Sequence, residues 1–282
     1  MAAPTIDQAF IKQYEADVHE AYQRQGSKLR GMVRSKTGIV GASTTFQKAG
    51  KGAASTKARH GTIAPMNVDH STVLCTLEDY YAGDWVDKLD ELKTNIDERQ
   101  VVANAGAWAL GRKTDELIIT ALDTATSGRT VTGTGDLADS VGLTDDKVLR
   151  AIEMLNDADV PDDGQRFALV GSQQWSNLLN IQAFASSEWV GTEALPWMSP
   201  TTRGKSWLGI TWMPFSALPK ASAVRSCFLF HRTSAGHAAG AEVSADITWH
   251  GDRAAHFVAH SMSQGAALID ETGLVRIKAT ET

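Results

Sequence analysis

Small and apolar positions recur at three-and-four spacing through residues 95–125, NIDERQVVANAGAWALGRKTDELIITALDTA. Ala103, Ala107, Gly111 and Thr114 lead into Leu117, Ile118 and Ala121, which is the period of one buried helix face. At about 1.5 Å per residue this predicts a rod roughly 40 Å long. Thr94, Asn95 or Asp97 can cap its start, and Asn95 with Glu98, or Asp97 with Gln100, has capping-box spacing. Small side chains on the inner face let another backbone approach closely. Arg112, Lys113, Asp115 and Glu116 load the middle with charge, so that side is expected to meet solvent or another subunit.

Before the rod, Ile6, Phe10, Tyr14, Val18 and Tyr22 recur every four residues and predict a helix over 7–25, closed by Gly26. The helical period then vanishes. Residues 44–47 on one side, and 62–66 through 72–74 on the other, read as two strands around a soft polar tip, KAGKGAASTKARHG. Such a hairpin is marginal alone in water, so something else must hold it flat.

After the rod, SGRTVTGTGDLADSVGLT marks a boundary near Thr126. Thr144 is placed to cap a helix that turns Val148, Ile152 and Leu155 inward. Residues 166–170 read as a strand, 172–181 as a short helix and 207–215 as an alternating strand. The dense apolar run 224–231 reads as a central strand. Together they predict a compact mixed α/β unit. In the tail, Ile247, Trp249, His256, Val258 and His260 alternate. Residues 267–270 and 274–278 then suggest a hairpin whose strands return beside the rod.

Composition changes little. The chain has 282 residues, 43% of them hydrophobic and 21% charged, within the range of ordinary globular proteins. No apolar run reaches membrane-spanning length and the N-terminus lacks a signal-peptide pattern, so a cytosolic origin and no membrane partner are expected. Cys75 and Cys227 have apolar neighbours that suit buried free thiols. Charge is more informative. Residues 21–68 hold nine Lys or Arg and no acid, whereas 78–98 hold eight acids against Lys88 and Lys93. A basic arm before an acidic body fits nucleic-acid binding, docking on a neighbouring copy, or two solvated surfaces of unlike sign.

The search for chemistry returns negatives. GKGAAST lacks the first glycine and the Ser or Thr of a phosphate loop. His256 and His260 are four apart, but no Glu follows His256, and the alternation around them says strand. There is no G-x-S-x-G elbow and no paired-cysteine motif. Trp175, Trp189, Trp197, Trp207 and Trp212 lie in apolar segments and suit a core or subunit contact. No enzymatic activity, cofactor or metal is expected.

The order of parts, with ALGRKTDELIITALD in the rod and GAALIDETGLVRIKA at the close, resembles major capsid proteins of tailed bacteriophages of the Hong Kong 97 type. The most specific stretches are residues 110–116 and the closing Asp-x-x-Gly-Leu-Val-Arg-Ile. The resemblance implies an α+β fold with an N-terminal arm (1–35), an extended loop (36–77), a peripheral domain with a spine helix (78–126), an axial domain (127–243) and closing peripheral strands (244–282). It implies self-assembly as pentamers and hexamers into an icosahedral shell around double-stranded DNA, bound without sequence specificity. A portal protein, decoration proteins and, since no long N-terminal extension is seen, a separate scaffolding protein are the expected partners. The implied location is the virion, after assembly in the host bacterial cytoplasm. An encapsulin-type nanocompartment shell is the alternative.

On this reading Lys48, Lys51, Lys57 and Arg59 of the loop dock on Asp84, Asp87, Asp90 and Glu91 of a neighbour. Arg112, Lys113, Asp115 and Glu116 supply further subunit contacts.

Overall fold

The structure, a computed structural model, describes residues 26–89, 98–185 and 204–281. The expected arm helix over 7–25, the rod's candidate caps, Trp189 and Trp197 lie outside them. The rod is α1, Glu98–Asp123, about 39 Å at the helical rise.

Two sheets organise the chain. The larger has six strands, in the order β12 (Leu274–Thr280), β9 (Val224–His231), β5 (Arg166–Val170), β7 (Ile210–Pro214) and β6 (Lys205–Trp207), with β8 (Lys220–Ala221) on β9. Helices α2 (Asp145–Asn156) and α3 (Ser172–Asn180) accompany it. Thr144 caps α2 by accepting from the Lys147 amide, and Val148 and Leu155 are buried as the spacing predicts. Strand β9 is buried from Cys227 to its end, as befits a central strand. Trp212 is fully buried and meets Trp207 in a tilted contact, and Trp207, Phe184 and Trp175 continue edge to face.

The second sheet runs β1 (Arg34–Thr37), β10 (Ala235–His250), β11 (Ala255–Leu268), β4 (Glu78–Asp87). Alternation along its strands gives it two unlike faces. On one lie His237, Ala239, His260, Met262 and Gln264, beneath the rod: Thr114 Oγ1 donates to Gln264 Oε1 at 2.7 Å. On the other lie Gly236, Ala238 and Gly265, which receive the hairpin of β2 (Ser43–Ala49) and β3 (His70–Thr76). Phe46 and Cys75 form a small buried cluster there with Ala238 and Ile269. A side chain at Gly265 would run into the Thr76 carbonyl, so the hairpin base needs glycine at this crossing. The hairpin is thus held at its base by its own chain, a support the sequence did not reveal.

Three expectations are corrected. Residues 62–66 form no strand: Pro65 has no amide to donate, and Ile63 and Met66 stand exposed. Residues 207–215 are a hairpin, because Leu208 and Gly209 both take positive φ and reverse the chain. Residues 267–270 and 274–278 do not pair together. β11 stays in register with β10 up to Leu268 opposite Ala235, and the turn Glu271–Gly273 sends β12 to the open edge of β9. The acidic stretch also conceals β4, whose Ala82, Asp84 and Val86 pair with β11.

Candidate subunit interface

The hairpin tip projects. All residues from 50 to 67 are exposed, and Lys57 and Arg59 stand on this stretch. Lower down, Lys48 Nζ lies 2.9 Å from Asp270 and Lys51 Nζ 2.6 Å from Asp159, both acids of the same chain. These partners differ from the expected ones because the hairpin lies across its own second sheet and reaches the turn after β11. The Lys51 ammonium holds Asp159 below the usual carboxylate range. Burial pulls Asp270 upward, but the bonds from Lys48 and Thr272 outweigh it and leave the carboxyl lowered. Lys51 and Asp159 are both more than three-quarters exposed, so their pairing contributes on the order of 0.2–1 kcal/mol.

Asp84 and Asp87 lie exposed on β4, their carboxylates accepting from the Trp85 and Leu89 amides at 2.8 and 2.7 Å. Asp90 and Glu91 lie outside the described residues. The basic tip and the acids of β4 therefore occupy separate exposed surfaces of one chain.

On the rod, Lys113 pairs with Glu116 at 2.9 Å and lies 5.3 Å over the Tyr80 ring. Burial and a hydrogen bond to Glu78 push the Tyr80 phenol up to about 12. Arg112 is half-buried. Asp115 corrects the sequence reading: it is fully buried, not part of an outer charged face. Four residues after Gly111 and three before Ile118, it falls on the inward stripe. It accepts from Ser27 Oγ at 2.6 Å and from the Lys28 and Leu29 amides at 3.1 and 3.0 Å. Gly111 allows that close approach, since a Cβ there would meet the Gly26 backbone. Asp115 is an anchor for the segment entering β1.

The outer edge of β10 is the remaining open surface. Past Ala239 no described strand pairs with it, and residues 241–249 are all exposed, Val243, Ile247 and Trp249 among them. A long apolar edge of this kind is a template for pairing with another chain. Among the described residues no group of acids, histidines and cysteines could hold a metal, and no helix is long and apolar enough to cross a membrane.

A family profile described as phage capsid protein matches residues 6–281, nearly the whole chain. The chain belongs to the phage capsid protein family. Solved structures share its fold. The capsid of cyanophage P-SCSP1u superposes with a TM-score of 0.75 at 14% identity, covering 98% of this chain and 94% of that one. A Mycobacterium phage Che8 structure gives 0.73 at 18%, covering 95% and 97%. The cyanophage Pam1 capsid gives 0.72 at 14%, covering 99% of each. No curated protein sequence matches significantly. At such low identity the likeness shows the shared architecture. Sequence reasoning missed Asp159, Asp270 and the Phe46 anchor in it. Phe46 carried a usable signal, being the sole aromatic residue in the basic stretch 21–68 after Tyr22.

Proposed function

We propose that the chain is the major capsid protein of a tailed bacteriophage, assembling as pentamers and hexamers into an icosahedral shell around double-stranded DNA. The observation that carries the reading is the hairpin 50–67, exposed throughout and basic, in a capsid-family chain whose β4 presents acids and whose β10, past Ala239, has no described strand on its outer edge. Each feature is incomplete in one copy and completed by another. Lys57 and Arg59 dock on a neighbour's Asp84, Asp87, Asp90 and Glu91. Lys48 and Lys51 join them by exchanging their weak pairs within the chain for pairs across the interface. Arg112, Lys113 and Glu116 contribute from the rod. Affinity comes from many small contacts repeated around a ring.

The rod, β4, β11 and the outer part of β10 serve as the peripheral domain, residues 36–77 as the extended loop, residues 1–35 as the arm, and the six-stranded sheet as the axial domain. The pairing of β12 with β9 supports counting β12 with the axial unit, while the outer part of β10 and β11 stay among the closing peripheral strands. The role is structural and not enzymatic. A portal protein, a separate scaffolding protein and decoration proteins are the further partners, and assembly takes place in the host bacterial cytoplasm. The nanocompartment alternative is disfavoured by the family match.

Electron microscopy of the expressed chain tests the reading. Closed icosahedral particles support it, and nuclease-protected DNA of fixed length in particles from infected cells distinguishes a genome shell. A folded cargo protein in place of DNA would reverse the choice.

A further inference from the structure

Two buried histidines beneath the rod are left unused by shell assembly. His237 on β10 is wholly buried and His260 on β11 nearly so. In each ring, Nδ1 has no protein partner. His237 Nε2 lies 3.0 Å from Gln264 Oε1, the oxygen that also accepts from Thr114 of the rod. With Nε2 donating there, Nδ1 is bare, and a proton added to it gains no acceptor. The charged groups facing this ring are already engaged: Arg30 from the entering segment pairs with Glu242 of β10, and Asp115 of the rod accepts from Ser27, Lys28 and Leu29. His260 is pressed against Gly106 of the rod, where a Cβ would lie 2.5 Å from its Nδ1. It stands opposite Ala82 of β4 and Ala245 of β10. The acids on its face of β4 are Asp84, which caps the Trp85 amide, and Glu78, which accepts from the Tyr80 hydroxyl. Next to Gln264, the partner of His237, an open groove of about 450 Å³, lined also by Ala107, Trp108, Thr114 and Val243, leaves room on one side of the rod.

We propose that the seat of the rod on β10 and β11 is an acid-sensitive joint, in which protonation of His237 lifts α1 from the sheet without unfolding the six-stranded sheet. Burial holds His237 below the ordinary histidine value, with Arg30 adding to the effect and Gln264, Glu242 and Asp115 opposing it. The sign follows. The seated rod prefers a neutral His237 ring, so the joint is fully closed above about pH 6.5 and weakens as pH falls below it. Such a device lets the rod tilt relative to its sheet in response to acid.

Hydrogen–deuterium exchange of the full chain, from about pH 7.5 to about pH 5 and corrected for intrinsic exchange rates, tests this. Opening of α1 is expected to rise by up to about tenfold per pH unit below about 6.5, while β9 and β12 stay unchanged. The variant His237→Gln cannot titrate there and should lose the dependence. Protection of α1 that is flat with pH, or that falls in step with β9 and β12, overturns the proposal, as does a folded variant that keeps the wild-type response. If the variant does not fold, the comparison of α1 with β9 and β12 in the wild-type chain decides alone.

Discussion

The six-stranded sheet and the four-stranded sheet are built from the same chain on opposite principles. The first closes on itself around Trp212, Phe228, Leu229, Phe230 and Val275, all buried at 1% exposure or less. The second meets the rod through small residues, histidines and Gln264, takes a hairpin on its other face, and leaves the outer half of β10 bare. A dry, close-packed core is a complete object. On the proposed reading, a slab with an open edge and a projecting basic loop is half of an interface, so stability should reside mainly in the first region and association in the second, and substitutions should separate the two.

The largest effect belongs to the closed core. Trp212→Ala should cost about 3–5 kcal/mol and be felt across the whole six-stranded sheet, read as a lower denaturation midpoint. If it merely loosened the hairpin, the two regions would not be distinct. Phe46→Ala removes the anchor of the hairpin base, at a cost of roughly 2–4 kcal/mol confined to that hairpin. Limited proteolysis should then cut within residues 36–77 while β9 and β12 keep their exchange protection. Asp115→Ala leaves three donors without their acceptor, costing about 1–3 kcal/mol. Faster exchange at residues 27–30, with the six-stranded sheet unchanged, is the expected reading.

A smaller effect sharpens the contrast at the chain's end. Arg225, with Lys220, holds the Glu281 carboxyl at about 2, clamping the segment after β12 to β9. A depressed carboxylate contributes stability above its ordinary value, near 4.3, that is lost as pH falls toward 2. Glu281→Gln should therefore lower the urea midpoint at pH 7, and its difference from wild type should close in acid.

The closed region was the more legible from sequence. Strands 166–170 and 224–231, the Thr144 cap and the rod's existence all follow from local period and capping chemistry, because burial there repeats along each element. The second region resisted where a partner far along the chain decides the outcome. Asp115 reads as a surface charge until Ser27, Lys28 and Leu29 are placed against it. β4 reads as an acidic lead until β11 pairs along its edge. β12 looks like half of a hairpin until β9 offers it an edge. The charge segregation was legible and the pairs within the chain were not, since Lys48 and Lys51 find Asp270 and Asp159 through tertiary crossings that no spacing encodes. The family resemblance supplied what periodicity could not, a reason for a hairpin too exposed to finish itself.

The central claim is that the hairpin tip is completed by a neighbouring copy. Lys57→Glu with Arg59→Glu tests it most directly, because both residues stand exposed and their reversal should change the chain's own stability by no more than about 0.5 kcal/mol. Assembly of the purified chain, followed by light scattering across a salt series, should fall sharply in the variant and lose its salt dependence while the unfolding midpoint stays in place. Shells forming at the wild-type yield, with the wild-type response to salt, would contradict the account.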